Sequence, residues 1–293
     1  MLGLGLTVNF TVDWEVRLRT WGGRFLNRLV GEVLENAGVR TPHNGAKPYA
    51  ISPILDLGGR IVNRLVPGTT YWFRASFMCN MVDCNGVVSA FVRDSYRLGS
   101  GEVVRVLRVR AREFRLGGIT NDGGSSSNNN RSIIEWGVEY YPTVFPFAHH
   151  YITYPSPGRF FASTARTLAQ LLRNTEVTLD GGGELYNATI NNINIKGLVM
   201  DLALNTEATR YRVRRLRVNL GGGRVMPAFR GAAEYVTYTE NVGLFNALLD
   251  IAEFFGVGKN RALGLGFVRI AHRVVRNEDS AVETVRGPTV LRN

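Results

Sequence analysis

The stretch Gly117–Arg131, GGITNDGGSSSNNNR, has Ile119 as its single apolar residue and divides a chain in which strand and helix periodicities alternate on both sides. Ahead of it, Leu4–Val12 alternates as a half-buried strand. Gly22–Ala37 then sets Phe25, Leu26, Leu29, Val30 and Val33 at helical spacing before stopping at Gly38. A turn-rich connector, Arg40–Gly45, leads to strands expected at Tyr49–Leu57, Thr70–Cys79 and Glu102–Phe114. Beyond the interruption come an aromatic-rich strand at Ile133–Tyr141 and a proline-broken segment. A helix follows from near Pro157 to Leu172, with Ser156 placed to accept an orphan amide. Asn191–Leu204, Arg210–Leu220 and Arg224–Tyr238 read as strands, the last two joined into a hairpin by Gly221–Gly223. A helix at Val242–Phe255, a glycine-rich loop and a strand at Phe267–Val275 complete the order. A few strands with about two helices in each half describe an α+β protein, and tandem ferredoxin-like (RRM-like) domains with antiparallel sheets are the natural solution. The division falls at residues 1–125 and 126–293.

The charge narrows the class of partner. Lys and Arg number 35 against 24 Asp and Glu, a formal charge of +11, which favours nucleic acid first and an anionic membrane surface second. Cys79 and Cys84 are too few and too close to staple a secreted scaffold, and fit buried or edge-strand positions better than a redox pair. A cytoplasmic location is the default. The apolar opening lacks a basic start and a cleavage site, and Asp13 and Glu15 interrupt it before a membrane span forms.

The loop GVGKNRALGLGFVRI carries the most specific pattern. Gly256, Gly258, Gly264 and Gly266 frame Lys259, Asn260 and Arg261, so the backbone can turn with positive φ and approach another chain beside two cations. A phosphate backbone would be held in this way; a plain helix-to-strand connector is the alternative. A dinucleotide fingerprint needs its glycines between an early strand and a helix, and a Walker loop needs Ser or Thr after its Lys, so neither fits.

This GxGxxxxxGxG pattern after a helix and before a final strand resembles the C-terminal signature of the repeat-associated mysterious protein (RAMP) superfamily. Within it, the chain is most similar to the CRISPR-associated endoribonuclease, of archaeal type, that cuts precursor CRISPR RNA within its repeats. Lys47-Pro48-Tyr49-Ala50-Ile51-Ser52-Pro53 resembles that family's strand motif after the first helix, and Phe229-Arg230-Gly231 with Tyr235 its hairpin motif. The resemblance implies two ferredoxin-like domains facing each other across a basic cleft that binds CRISPR repeat RNA. It implies metal-independent cleavage without a cofactor, in which a ribose 2′-hydroxyl attacks its own phosphate to give a 2′,3′-cyclic phosphate and a 5′-hydroxyl. Such a reaction needs a proton acceptor, a proton donor and positive charge at the phosphorane. By family position His43 is the first catalytic candidate and Lys47 the second, as a phosphate-stabilising cation or proton donor. A tyrosine that many members carry in the first helix is absent here, and Arg24 and Arg28, on one helix face, are candidates to supply charge.

Arginine distribution supports RNA contact independently. Arg210, Arg212 and Arg214 fall on one strand face and Arg215 and Arg217 on the other, while Arg105, Arg108 and Arg110 begin a second strip that runs to Arg115. Part of this pattern also suits a hydrated strand edge. Tyr151 and Tyr154 are placed to stack on unpaired bases or to close a core. Adjacent His149 and His150 diverge on a strand, and no HxxxH, CxxC or acidic cluster accompanies them, so no metal site is expected. His272 reads as a packing residue. The expected function is a repeat-processing endoribonuclease; the alternative is a noncatalytic RNA-binding RAMP subunit of a CRISPR effector complex, and the blandest reading is a basic structural protein. Effector-complex proteins and a second copy of the chain are further partners compatible with the family.

Overall fold

A computed structural model describes residues 1–39, 47–93, 95–99, 101–116, 131–172, 189–190 and 193–277. The connector Arg40–Gly45 and all of the polar interruption except Arg131 lie outside them. In chain order the first part comprises β1 (Gly3–Val12), β2 (Val16–Arg17), α1 (Gly23–Asn36), β3 (Tyr49–Ile51), β4 (Arg64–Leu65), β5 (Tyr71–Met78), α2 (Cys84–Phe91), β6 (Ser95–Arg97) and β7 (Val103–Phe114). The second comprises β8 (Ser132–Thr143), β9 (Phe145–Phe147), β10 (His150–Ile152), α3 (Pro157–Leu171), β11 (Thr189–Ile190), β12 (Ile193–Asn194), α4 (Ile195–Leu204), β13 (Thr206–Gly221), β14 (Arg224–Thr239), α5 (Val242–Phe255) and β15 (Val268–Asn277).

The two main sheets share one topology. The first runs β3-β5-β1-β7-β6 and the second β13-β14-β8-β15, and every neighbouring pair is antiparallel. Each places its first strand between the third and the fourth, which is the ferredoxin-like order, so the expected α+β architecture stands. In the first lobe Leu4, Leu6, Val8, Phe10 and Val12 of β1 bury one sheet face under Leu26, Leu29, Val30 and Val33 of α1 and Val87 and Phe91 of α2. In the second, Trp136, Val138 and Tyr140 of β8 bury theirs under Phe160, Phe161 and Leu168 of α3 and Phe245 and Leu248 of α5. Full burial of side chains this size contributes about 1.5–3 kcal/mol each, so helix-on-sheet burial dominates both cores.

Three sequence expectations are corrected. Asn191–Leu204 was expected as a strand, but Ile195–Leu204 is helical. Asn194 caps it by accepting from the Gly197 amide at 3.0 Å, and Ile195, Leu198, Val199 and Leu202 fall at the spacing that buries one helical face. The strand expected at Tyr49–Leu57 ends at Ile51, because Pro53 cannot continue a ladder. Cys79 and Cys84 are joined in a disulfide, with Cα atoms 5.4 Å apart. The turn after β5 explains it: the amides of Met81 and Val82 both return to the Met78 carbonyl, and Asp83 caps α2 from the Asn85 amide, which brings the two sulfurs together.

The C-terminus of α5 locks the lobes together. Phe254 and Phe255 pack against Phe114, with centroids 4.7 and 5.5 Å apart, on the outer face of the first sheet. There Ser76 Oγ donates to the Phe254 carbonyl at 2.6 Å and Arg74 donates to the Glu253 carbonyl. From the end of β5, Asn80 Nδ2 reaches the Gln170 carbonyl of α3 at 2.7 Å.

Candidate nucleic-acid interface

Strand register decides which side chains face away from each core. On β1 these are Gly5, Thr7 and Asn9, flanked by Arg112, Arg110 and Arg108 of β7 and by Ser76, Arg74 and Trp72 of β5. A bulge between Asn9 and Phe10 sets Arg105 opposite Thr11, so Arg105 and Arg108 share this face although they stand three positions apart. Arg105 is held by Asp13, with N–O distances of 2.5 and 3.1 Å, while Arg108, Arg110 and Arg112 are exposed.

The second sheet presents a matching face. Arg269 of β15, Glu139 of β8, Ala232 of β14 and Arg212 of β13 form one row, and His272, Gly137, Glu234 and Arg210 the next. Arg214 lies opposite Arg230 on the same side, and Arg215 and Arg217 alternate to the other. Arg210, Arg212, Arg214, Arg215 and Arg217 are all exposed. The two outer faces meet through cation–ring contacts. Arg269 lies 5.8 Å from the centre of the Trp72 ring and Arg74 4.6 Å from that of Phe267, while within the second lobe Arg269 and Arg230 each lie 5.6 Å from the centre of Tyr141. Burial holds Arg74 down at about 10, with the carboxylate of Glu253 acting in the opposite sense. Trp72, Arg74, Tyr141 and Arg269 belong to this junction without having been singled out from sequence; the alternation of Trp72 and Arg74 with buried Tyr71 and Phe73 is the signal that would have found them.

At one end of this junction the glycine-rich loop seats on α1. Trp21 Nε1 donates to the Leu263 carbonyl at 2.6 Å, Arg24 to the Leu220 carbonyl at 2.9 Å, and Asn27 Nδ2 to both the Ala262 carbonyl (2.9 Å) and the Tyr49 hydroxyl (2.7 Å). Burial pushes the Tyr49 hydroxyl up to about 12, against the opposing effect of the Asn27 hydrogen bond. Lys47 stands two residues before Tyr49, at the same junction and half-buried. His43 lies outside the described residues. Arg28 pairs with Glu102 at 3.6 Å.

The loop's glycines answer to the protein's own backbone. Gly256, Gly258, Gly264 and Gly266 all have positive φ, and a β-carbon on Gly266 would stand 1.7 Å from the Val257 carbonyl oxygen. The Val257 amide donates to the Gly266 carbonyl at 2.8 Å, so the two ends of the loop are zipped together. Asn260, in the left-handed region, accepts through its carbonyl from Leu263 and Leu265. Arg261 turns inward to Thr167 Oγ1 at 2.6 Å; burial, then the nearby Arg166 charge, lowers it to about 10. Lys259 is exposed, with its Nζ 5.3 Å from the centre of the Tyr151 ring. The close approach expected of the loop is therefore made by the chain itself, and Lys259 is the loop cation turned to solvent.

His149 and His150 are exposed near the β9–β10 turn, and His272 lies flat against Gly137. Among the described residues no three His, Cys, Asp or Glu side chains gather as a metal-holding group, and no helix is long and apolar enough to cross a membrane.

Residues 140–268 match the family model described as CRISPR-associated endoribonuclease Cas6. Among solved structures, the chain is similar to a Cas6 product complex, with 17% identity, a TM-score of 0.62, and coverage of 92% of this chain and 100% of that one. It is similar to a second Cas6 product complex at 18% identity and TM-score 0.60, covering 92% and 99%. Thermus thermophilus Cas6 follows at 18% identity and TM-score 0.55, covering 92% and 98%. No curated protein sequence matches the chain.

Proposed function

We infer from the Cas6 family signature in residues 140–268, on a chain that takes the Cas6 fold, that this protein is an endoribonuclease that cleaves precursor CRISPR RNA within its repeats. The observation that carries the reading is the pair of arginine-bearing sheet faces turned toward each other, with α1 held at one end by the glycine-rich loop. RNA lies along that cleft, its phosphates on Arg108, Arg110, Arg210, Arg212, Arg214 and Arg230, with Arg24 and Arg28 at the α1 end and Lys259 beyond them on the glycine-rich loop. The division at residues 125 and 126 belongs to the same reading, each lobe supplying one wall, and the compartment we assign is the cytoplasm.

The reaction is an internal transesterification. His43 takes the proton of a ribose 2′-hydroxyl as the oxygen attacks the adjacent phosphorus, and Lys47 neutralises the phosphorane or protonates the leaving 5′-oxygen. The bond to that oxygen breaks, leaving a 2′,3′-cyclic phosphate and a 5′-hydroxyl. Because the nucleophile is part of the RNA, no water has to be activated, and cleavage proceeds in EDTA. End analysis of products formed from a labelled repeat in EDTA tests this: a terminus that resists phosphatase until acid opens it is expected, and a 3′-hydroxyl contradicts it. The lack of a tyrosine between Gly23 and Asn36 favours the noncatalytic RAMP reading, which predicts tight repeat binding with no product.

A further inference from the structure

The helical side of the second lobe, away from the cleft, carries a second basic surface. While α3 buries Phe160, Phe161, Ala165 and Leu168, it leaves Arg159, Ala162 and Arg166 at spacings of three and four along its other edge. α4 likewise leaves Lys196 and Met200 exposed. Between these packed helices lies an open groove of about 710 Å³ lined by Arg159, Arg166, Lys196 and Met200 with Pro146 and Ala148. Among the described residues no Asp, Glu, Asn or Gln lines it.

The rim is aromatic. Phe147 and Tyr151, on β9 and β10, are 50% and 40% exposed, and Tyr154 just beyond is 52% exposed. A cation stands over each of the first two rings: Arg159 at 4.1 Å from the centre of Phe147 and Lys259 at 5.3 Å from that of Tyr151. The glycine-rich loop joins this side of the lobe to α1. The Gly258 amide donates to Ser163 Oγ of α3 at 2.7 Å, and the same loop meets α1 through Leu263 and Ala262.

We propose that this groove binds single-stranded RNA flanking the repeat, with Arg159, Arg166 and Lys196 on phosphates and Phe147 and Tyr151 stacking on bases. It rests on the RNA-processing reading above. Cations interleaved with exposed rings hold a single strand whatever its sequence, because every base has a π-face, and among the described residues no amide or carboxylate side chain that would read base edges lines the groove.

Equilibrium binding by the full chain tests it with three RNAs: the bare repeat, and the repeat extended by about ten uridines at its 5′ or its 3′ end. Extension at one end is expected to tighten binding by about tenfold, and Phe147→Ala combined with Arg159→Ala and Lys196→Ala to abolish that gain while bare-repeat binding and cleavage stay unchanged. Should the triple variant misfold, Phe147→Ala alone is expected to lose part of the gain. The proposal is overturned if neither extension tightens binding, if the variants keep the gain, or if the bare repeat weakens by the same factor. A wild-type protein that does not cut the bare repeat defeats the processing reading instead, a result read without the extended RNAs.

Discussion

Gly23, the first residue of α1, lies so close beneath the Leu263 carbonyl that a β-carbon there would stand 1.8 Å from the oxygen and 2.6 Å from Trp21 Nε1. The contact joins the helix that precedes His43 to the glycine-rich loop, across most of the sequence. Gly23→Ala must push the loop off the helix, at a cost of about 3 kcal/mol, the upper end for overpacking because the obstacle is backbone. Gly31, in the same helix, has nothing within 4 Å of its would-be β-carbon, so Gly31→Ala stabilises by about 0.5–1 kcal/mol. Urea unfolding midpoints are expected to move in opposite directions for the two variants; a shared direction contradicts the contact.

Reducing the Cys79–Cys84 disulfide frees a short loop. For a closed loop this small the chain-entropy estimate is about 2 kcal/mol. A lowered melting temperature in reductant, absent from a Cys79→Ser/Cys84→Ser variant, is the expected result. Identical curves with and without reductant for the wild type would show that the bond is not formed.

Fold and site were not equally legible. The helix Val242–Phe255 was readable to the residue, because Leu244, Phe245, Leu248, Leu249 and Ala252 repeat at helical spacing and the loop begins immediately after. α4 was misread because Ile193 and Ile195 alternate like a strand just where Asn194 caps a helix whose apolar face completes the second core. In the loop the glycine pattern was plain, but which chain it admitted was not: only the fold shows Gly266 against Val257 and Arg261 turned to Thr167. Charge gave the same partial result. The strip Arg105–Arg112 was visible, yet the bulge that keeps Arg105 and Arg108 on one face depends on pairing with β1, which local sequence does not encode.

If the facing arginines hold phosphates, the logarithm of the affinity for repeat RNA falls linearly with the logarithm of salt. Arg110→Ala and Arg212→Ala, one from each wall, are each expected to reduce that slope by about 1 and to weaken binding alike for repeats of different sequence. A slope unchanged by both would remove these residues from the interface.

Tyr49 couples the α1 junction to pH. Its folded-state value, raised to about 12, exceeds the ordinary value of 10.0, so folding favours the protonated hydroxyl. The stability it contributes is complete below pH 10 and is lost as pH rises towards 12. Tyr96, likewise raised to about 12 by burial, adds in the same window. Urea midpoints taken at intervals from pH 9 to 12 are expected to fall, less steeply in Tyr49→Phe; an equal fall in both would mean that the hydroxyl is not buried in solution.

The central claim is that a histidine in the connector after α1 cuts a repeat held in this cleft. Single-turnover cleavage of repeat RNA in EDTA, compared for wild type and His43→Ala, measures it directly. One specific cut by the wild type and a rate at least about a hundredfold lower in the variant, with repeat affinity unchanged, is the predicted result. Equal rates would remove His43 from the mechanism, and tight binding by both proteins without product would make the chain a noncatalytic RNA-binding subunit.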